Sequence, residues 1–180
     1  MPRQRHDPSK NLVGFHVGEV MYAVRIEMVR EIVNPLEIVS LPKAPKSVRG
    51  VADYRDGVVV PVIDLRERFG LPAAPQSRKT KWIVLDILPP TSTQKVGPVS
   101  LVQGRYAALV VDAVTEVFGF GPEGIRPAPP LGRGDAVRGI EGVTTFNKKL
   151  IFVLDARAFS AIAEAALGEE TPPGAILETL

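Results

Sequence analysis

The chain has 180 residues, of which 45% are hydrophobic, and its formal net charge at pH 7 is +2. A chain of this length can bury on the order of 70% of its unfolded surface, as one domain or as two small packed halves. Cysteine is absent, which excludes a disulfide framework, a thiolate nucleophile and a thiolate metal ligand. The small net charge argues against a surface built to bind polyanions.

The N-terminus is predicted to be a flexible tail over residues 1–11. It is polar, contains two prolines and lacks the apolar core of a signal peptide. No run approaches the roughly 20 apolar residues that span a bilayer. We therefore expect a cytoplasmic protein.

The first predicted element is a hairpin, with strands at 12–17 and 20–24 around Gly18 and Glu19. The segment 26–32 then places apolar residues at helical spacing, with Pro35 just beyond its end, which predicts a short helix. A short strand is predicted at 38–41, before a loop.

A second hairpin is predicted around Asp56 and Gly57, because both central positions of a type I′ turn need positive φ. The following run from Val58 to Ile63 is apolar without interruption, which is typical of a strand covered on both sides or lining a small barrel. A short helix at 65–69 is predicted to end at Gly70.

The second half repeats this rhythm of short strands and turns. Strands are predicted at 82–88, 105–111 and 115–118, and 137–143 is expected to pair with 150–154. A final helix is predicted from about 156 to 167, before a flexible tail at 169–180. Short strands separated by turn residues every 8 to 12 positions predict a mainly β fold of barrels or a sandwich.

A search for catalytic or metal-binding patterns finds little. Histidine occurs only at His6 and His16, and no carboxylates stand at metal-ligand spacing from either. The glycines of 119–124 are not followed by the lysine or the helix of a phosphate-binding loop. We therefore predict a protein that is not an enzyme and binds neither a metal nor a cofactor.

Three stretches in order resemble the CheW-like domain of bacterial chemosensory adaptors. The first is Gly-Val-x-x-x-Arg, a turn, and Val-x-Pro-Val-Ile-Asp-Leu-Arg with a later Phe-Gly-Leu, within residues 50–71. The second is 109–117 followed by 125–130, and the third is 139–142 leading to 150–155. The resemblance covers roughly residues 12 to 165, and several spaced motifs are far more specific than one.

The resemblance implies a CheW-like fold over residues 12–168: two small five-stranded β-barrels with short helices and a C-terminal helix. One barrel would come from roughly residues 22 to 82 and the other from the later segments, with the chain ends returning to the opposite half. Relatives join the strands that flank residues 89–98 by a tight turn. That segment is therefore predicted to be an insertion, either a tolerated loop extension or a contact loop.

The implied function is that of a non-catalytic scaffold adaptor. It would couple methyl-accepting chemoreceptors to a CheA-type histidine kinase at the periphery of receptor arrays. Its expected partners are the receptor's cytoplasmic tip and the kinase's regulatory domain, and other CheW-like proteins are a further candidate. A β-barrel that binds oligonucleotides is the alternative, favoured only by the sequence pI of about 9.0. With no basic stripe beside exposed aromatics, no nucleic-acid partner is expected.

Position by position, the resemblance implies several partner-binding residues. Val29 and Glu31 fall where the first barrel meets the kinase, Arg55 falls on the arginine of the family's Asn-Leu-Arg-Gly motif, and Val117 lies on a strand near the receptor groove. Core packing explains the two valines equally well. Glu31 and Arg55 are either a structural ion pair or direct contacts.

The motif is altered in this chain, which reads Asp53, Tyr54, Arg55, Asp56 and has one residue more before the next proline. Two carboxylates beside Arg55 would repel an acidic partner group that ordinary relatives accept. The four residues are therefore candidate partner contacts, and a divergent adaptor that keeps only one of the two partners remains open.

Overall fold

The computed structural model describes residues 11–87, 105–120, 123–128 and 139–167. Ten strands dominate it, as predicted for a mainly β fold: β1 Asn11–Val17, β2 Val20–Arg25, β3 Val29–Val33, β4 Val48–Arg55, β5 Val58–Asp64, β6 Lys81–Asp86, β7 Tyr106–Val111, β8 Ala113–Gly119, β9 Ile140–Phe146 and β10 Lys149–Leu154. Helix α1 is Leu65–Arg68, helix α2 is Ser160–Leu167, and 3-10 turns occupy Ile26–Met28 and Ala156–Phe159. The predicted insertion and both predicted tails lie outside the described residues, except that Asn11 already opens β1.

The strands form two five-stranded sheets with the same connectivity. Sheet I has the order β3-β6-β7-β5-β4, and sheet II has the order β8-β1-β2-β10-β9. In each sheet one parallel pair, β5/β7 or β10/β2, joins two antiparallel groups. The chain is thus two repeats of one five-stranded unit, and each repeat contributes its first two strands to the other repeat's sheet.

This exchange changes the predicted division of the strands. Strand β7 was expected in the later half, and its hydrogen bonds to β5 and β6 place it in sheet I. Strand β2 belongs to sheet II, where it pairs with β1 and β10. Such long-range pairing leaves no local signal in the sequence, so hydrophobic patterning could not find it.

Most strands are buried on both faces, as the apolar run after Gly57 predicts. In β6, Trp82 and Val84 belong to the core enclosed by sheet I, whereas Ile83 and Leu85 belong to the core between the sheets. In β5, Val60 belongs to the core enclosed by sheet I, and Ile63 belongs to the core between the sheets. A third core lies within sheet II, with the buried residues Leu12, Ala23, Phe118, Ile151 and Val153.

The edge strands of each sheet approach one another through side chains. Glu31 on β3 bonds to Tyr54 and Arg55 on β4, and Phe118 on β8 stacks on Phe146 on β9 with ring centroids 4.4 Å apart. Both sheets are therefore strongly curved. Within the described ranges neither sheet closes by strand-to-strand hydrogen bonds, so the predicted barrels are not confirmed as closed sheets.

The helix predicted at 26–32 is wrong. Only Ile26–Met28 form a 3-10 turn, and the chain then continues as strand β3, antiparallel to β6. Along β3 the half-buried residues Val29, Glu31 and Val33 alternate with exposed ones. Seven residues are too few for apolar spacing to separate the two periods, and pairing with β6 decides the outcome.

In each repeat, one residue outside the named strands forms an isolated β-bridge to the hairpin made by the last two strands of that repeat. Val39 and Val51 exchange two backbone hydrogen bonds of 2.8 and 2.9 Å, and Arg126 does the same with the residue after Gly142. A Cβ on Gly50 would lie 2.1 Å from the Val39 carbonyl oxygen, and one on Gly142 would lie 2.3 Å from that of Arg126. Glycine is therefore required at both crossings.

Candidate functional site

The β4–β5 hairpin carries four of the predicted site residues at its tip. Asp56 and Gly57 have φ values of 48° and 79°, as the predicted type I′ turn requires. The register shifts between Asp53 and Arg55, which leaves Tyr54 as the extra residue of a β-bulge. Strand β4 therefore has one residue more than β5 between these two pairs.

A cluster of three predicted residues joins the two edges of sheet I; we call Glu31, Tyr54 and Arg55 the edge cluster. The Tyr54 hydroxyl donates to one carboxylate oxygen of Glu31, and the Arg55 guanidinium donates to the other. The Arg55 guanidinium also lies over the Tyr54 ring, 5.4 Å from its centroid. The ion pair that the sequence allowed is therefore present, with a tyrosine as its third member.

The edge cluster is accessible to a partner. The Arg55 side chain is 60% exposed, and that of Glu31 is 31% exposed. Burial of Tyr54 and its hydrogen bond to Glu31 raise the pKa of the phenol, despite the opposing charge of Arg55. The hydroxyl therefore stays a neutral donor, and the cluster presents a held guanidinium to solvent.

The two aspartates next to Arg55 in the hairpin are not its ion-pair partners among the described residues. Asp53 and Asp56 are exposed, and within the described part of the chain the recorded ion pair of Arg55 is with Glu31 on β3. The hairpin therefore displays two carboxylates to solvent beside the edge cluster.

The two predicted valines lie in different surroundings. Val29 is half-buried against the core between the sheets, opposite Leu85, so core packing accounts for it. Val117 lies on the edge strand of sheet II, opposite Val13, and is 54% exposed. Val117 is the more exposed of the two, and it lies apart from the edge cluster.

A charged groove of about 660 Å³ lies between the two sheets, where no single segment could reveal it. Three ion pairs line it: Arg25 with Glu141, Arg105 with Asp86, and Arg157 with Asp155. Five separate sequence segments supply its walls, which is why sequence reasoning missed it.

Ring contacts connect this groove to the edge cluster. The Arg105 guanidinium lies 5.6 Å from the centroid of the Tyr106 ring. The Tyr106 ring in turn meets the Tyr54 ring edge-on at 6.3 Å. The groove and the edge cluster therefore belong to one continuous surface at this end of sheet I.

In the ranges that the structure describes, no three His, Asp or Glu side chains group closely enough to hold a metal ion. The helices in those ranges are also too short or too polar to cross a membrane.

Comparison with known proteins finds one family along almost the whole described chain. The model of the CheW-like domain matches residues 11–164. A probable chemotaxis protein CheW of Rhizobium etli is 27% identical over 87% of this chain and 90% of its own length. Chemotaxis protein CheW of Klebsiella aerogenes is 28% identical over 85% of this chain and 82% of its own.

A solved structure agrees with these relatives. The crystal structure of the scaffolding protein TtCheW from Thermoanaerobacter tengcongensis matches with a TM-score of 0.69 and 29% identity, over 89% of this chain and 92% of that one. These matches do not support the oligonucleotide-binding alternative.

Proposed function

The chain belongs to the CheW-like domain family and is a chemotaxis adaptor, and from that premise we propose that it couples methyl-accepting chemoreceptors to a CheA-type histidine kinase. It does so as a scaffold, binding both proteins and catalysing no reaction. Its place of action is the cytoplasm, at the periphery of receptor arrays.

The edge cluster is the proposed contact for the kinase's regulatory domain, and it is the observation that carries the proposal. Glu31 holds Arg55 in a fixed position, while most of the arginine side chain remains exposed. A guanidinium held in place loses less side-chain entropy when a partner carboxylate or carbonyl accepts its remaining N–H groups. The cluster is therefore suited to bind a protein surface.

The charged groove is the proposed contact for the receptor's cytoplasmic tip. A helix with its side chains is about 10–12 Å across, and the groove, with its volume of about 660 Å³, is lined by residues of both sheets. The lining ion pairs offer both donors and acceptors to a polar helix surface. Val117 adds an exposed apolar contact on sheet II.

The exposed aspartates of the hairpin are the proposed source of partner choice. Asp53 and Asp56 place negative charge beside the guanidinium of Arg55, and like charges across an interface are unfavourable. We expect this adaptor to prefer a kinase surface with fewer acidic groups than the kinases of ordinary relatives carry.

Equilibrium binding of the kinase's regulatory domain tests the proposal. The variants Arg55→Gln and Glu31→Gln should each weaken binding about 5- to 50-fold, because the first removes the donor and the second releases it. Arg78→Gln also removes one positive charge, but at an exposed loop position outside the edge cluster. It should leave the affinity unchanged. Equal affinities in all four proteins would contradict the assignment.

The hairpin is tested by restoring the family motif. Deletion of Asp56 combined with Asp53→Asn and Tyr54→Leu should increase affinity for the regulatory domain of an ordinary CheA-type kinase. If the affinities for kinase and receptor both stay the same, charge repulsion does not determine partner choice.

A further inference from the structure

Two arginines occupy corresponding positions in the two repeats. Arg66 is the second residue after Asp64, whose side chain caps α1. Arg157 is the second residue after Asp155, whose side chain caps the 3-10 turn that follows β10. Each arginine therefore comes directly after the last strand of its repeat, but the surroundings of the two differ.

Around Arg66 the two sheets are joined by hydrogen bonds. The Arg66 guanidinium binds the carboxylate of Asp112, which lies where the chain passes from β7 to β8. The same carboxylate accepts the backbone N–H of Gly18 in the β1–β2 turn. The Arg66 side chain is only 22% exposed, so this junction between the repeats is occupied by the chain's own groups.

Around Arg157 the corresponding elements surround the charged groove instead. The groove is lined by Arg157, by residues that flank the β6–β7 connection, and by Glu27 in the passage from β2 to β3. Glu27 thus lies in the passage that corresponds to that of Asp112. In the described part of the chain, however, the ion pair of Arg157 is with its neighbour Asp155, through a contact of 3.3 Å, and the arginine side chain is 67% exposed.

Glu27 is the surplus charge of the charged groove. Three arginines and four carboxylates line the groove, and each arginine has an ion pair with one of the three carboxylates other than Glu27. The pKa of Arg25 is raised chiefly by its hydrogen bond to Glu141, and the charge of Glu27 raises it further. The negative charge of Glu27 therefore acts within the groove, and a positively charged group on a partner would complement it.

We infer that Glu27 and Arg157 determine which receptor tip the charged groove accepts: Glu27 binds a lysine or arginine of the tip, and Arg157 binds an aspartate or glutamate. The receptor would thereby supply the ionic contacts that Arg66 and Asp112 make with one another in the other repeat. Both side chains are exposed, so a partner can reach them without any rearrangement of the fold. The inference rests on the proposed adaptor function, in which this groove is the contact for the receptor tip.

Binding of a receptor tip fragment to the full chain tests the inference. Glu27→Gln removes the surplus charge, Glu27→Lys reverses it, and Arg157→Gln removes the cation. Glu19→Gln and Arg78→Gln are the matched controls, since both residues are exposed and neither lines the groove. Affinity for the kinase's regulatory domain, which the edge cluster is proposed to bind, is measured on the same proteins.

We expect Glu27→Gln and Arg157→Gln each to weaken binding of the tip fragment about 3- to 10-fold, and Glu27→Lys to weaken it more, because it brings like charges together. These losses should shrink as the salt concentration rises. Both controls should bind the tip as the wild type does, and all variants should keep their affinity for the regulatory domain.

Three outcomes would contradict this expectation. Affinity for the tip that is unchanged in all three groove variants would overturn the inference and leave the adaptor function standing. A parallel loss of affinity for the regulatory domain would also overturn it, since the two residues would then act through the fold. Wild-type protein that does not bind the tip fragment would refute the groove as the receptor contact, and the inference with it.

Discussion

Arg66 on α1 holds the carboxylate of Asp112, with its Nε 2.9 Å from Oδ1 and its Nη2 2.7 Å from Oδ2. Asp112 is the residue at which the chain passes from β7 in sheet I to β8 in sheet II. The same carboxylate accepts the backbone N–H of Gly18, in the β1–β2 turn, at 2.7 Å. One side chain thus ties together three segments from both sheets.

We expect Asp112→Asn to destabilise the fold by about 1–3 kcal/mol at neutral pH, because it removes a charged acceptor and leaves the Arg66 guanidinium half-buried. Burial alone would raise the pKa of Asp112, but the hydrogen bonds from Arg66 and Gly18 outweigh it and the pKa is lowered from its usual 3.8. The ionised carboxylate therefore stabilises the fold when the pH is above the pKa of the unfolded state. This stabilisation is lost as the pH falls through the lower pKa of the folded state.

Urea unfolding at neutral and acidic pH measures this effect. The difference in unfolding free energy between the wild type and Asp112→Asn should be constant above about pH 5 and shrink below the usual pKa of 3.8. A difference that does not change with pH would mean that the ionised carboxylate is not what ties the sheets together.

The ion pair of Glu31 and Arg55 should contribute little to stability, because the Arg55 side chain is 60% exposed. A double-mutant cycle with Glu31→Gln and Arg55→Gln is expected to give a coupling energy of about 0.2–1 kcal/mol in unfolding. Any loss of kinase binding in these variants would then be a loss of contact. A coupling energy of several kcal/mol would make the pair structural instead.

Tyr54→Phe removes the hydroxyl that donates a hydrogen bond to Glu31, and it keeps the ring that packs edge-on against Tyr106. We expect a loss of about 1 kcal/mol in stability at neutral pH. In the folded state the pKa of Tyr54 is raised above its usual 10.0. The stabilisation of the fold by the neutral hydroxyl is therefore present below pH 10.0 and is lost as the pH rises through the folded pKa.

In alkaline solution the free energy of unfolding should therefore fall less steeply with pH for Tyr54→Phe than for the wild type. Tyr106→Phe is the matched control, since among the described contacts the tyrosine hydroxyl that donates to Glu31 is that of Tyr54. Identical pH profiles for Tyr54→Phe and the wild type would show that the hydroxyl does not bind Glu31 in solution.

The parts of this structure that are encoded locally could be predicted, and the rest could not. The turn at Asp56 and Gly57 follows from backbone preference alone. The same approach gave a helix where β3 forms, because nothing near 26–32 reports on the distant partner strand β6. The contact of Tyr54 with Glu31 needs a sheet curved until its edges meet, which no local pattern specifies.

The same limit applies to the groove and to the division of the sheets. Arg25 and Glu141 are 116 residues apart in the chain, and they meet only because β2 joins the sheet of the second repeat. The family resemblance supplied the positions of Glu31 and Arg55, whereas composition and periodicity alone gave no reason to connect them.

Gly50→Ala and Gly142→Ala should be among the most destabilising small substitutions in this chain. At each site a Cβ would meet a backbone carbonyl oxygen, at 2.1 and 2.3 Å, and the bridged backbone must move. We expect about 2–4 kcal/mol for each. Gly57→Ala is the control: its φ of 79° is positive, but nothing lies within 4 Å of its Cβ, so only about 1–2 kcal/mol of backbone strain is expected.

Co-sedimentation with receptor-containing membranes tests the adaptor role most directly. Membranes that carry the cognate chemoreceptor are mixed with the cognate CheA-type kinase, with and without this protein, and the kinase in the pellet is measured. The account predicts that the pelleted kinase rises several-fold when the wild type is added, and that Arg55→Gln reduces this rise while still pelleting with the receptor. A pelleted fraction of kinase that is the same with and without the protein would contradict it.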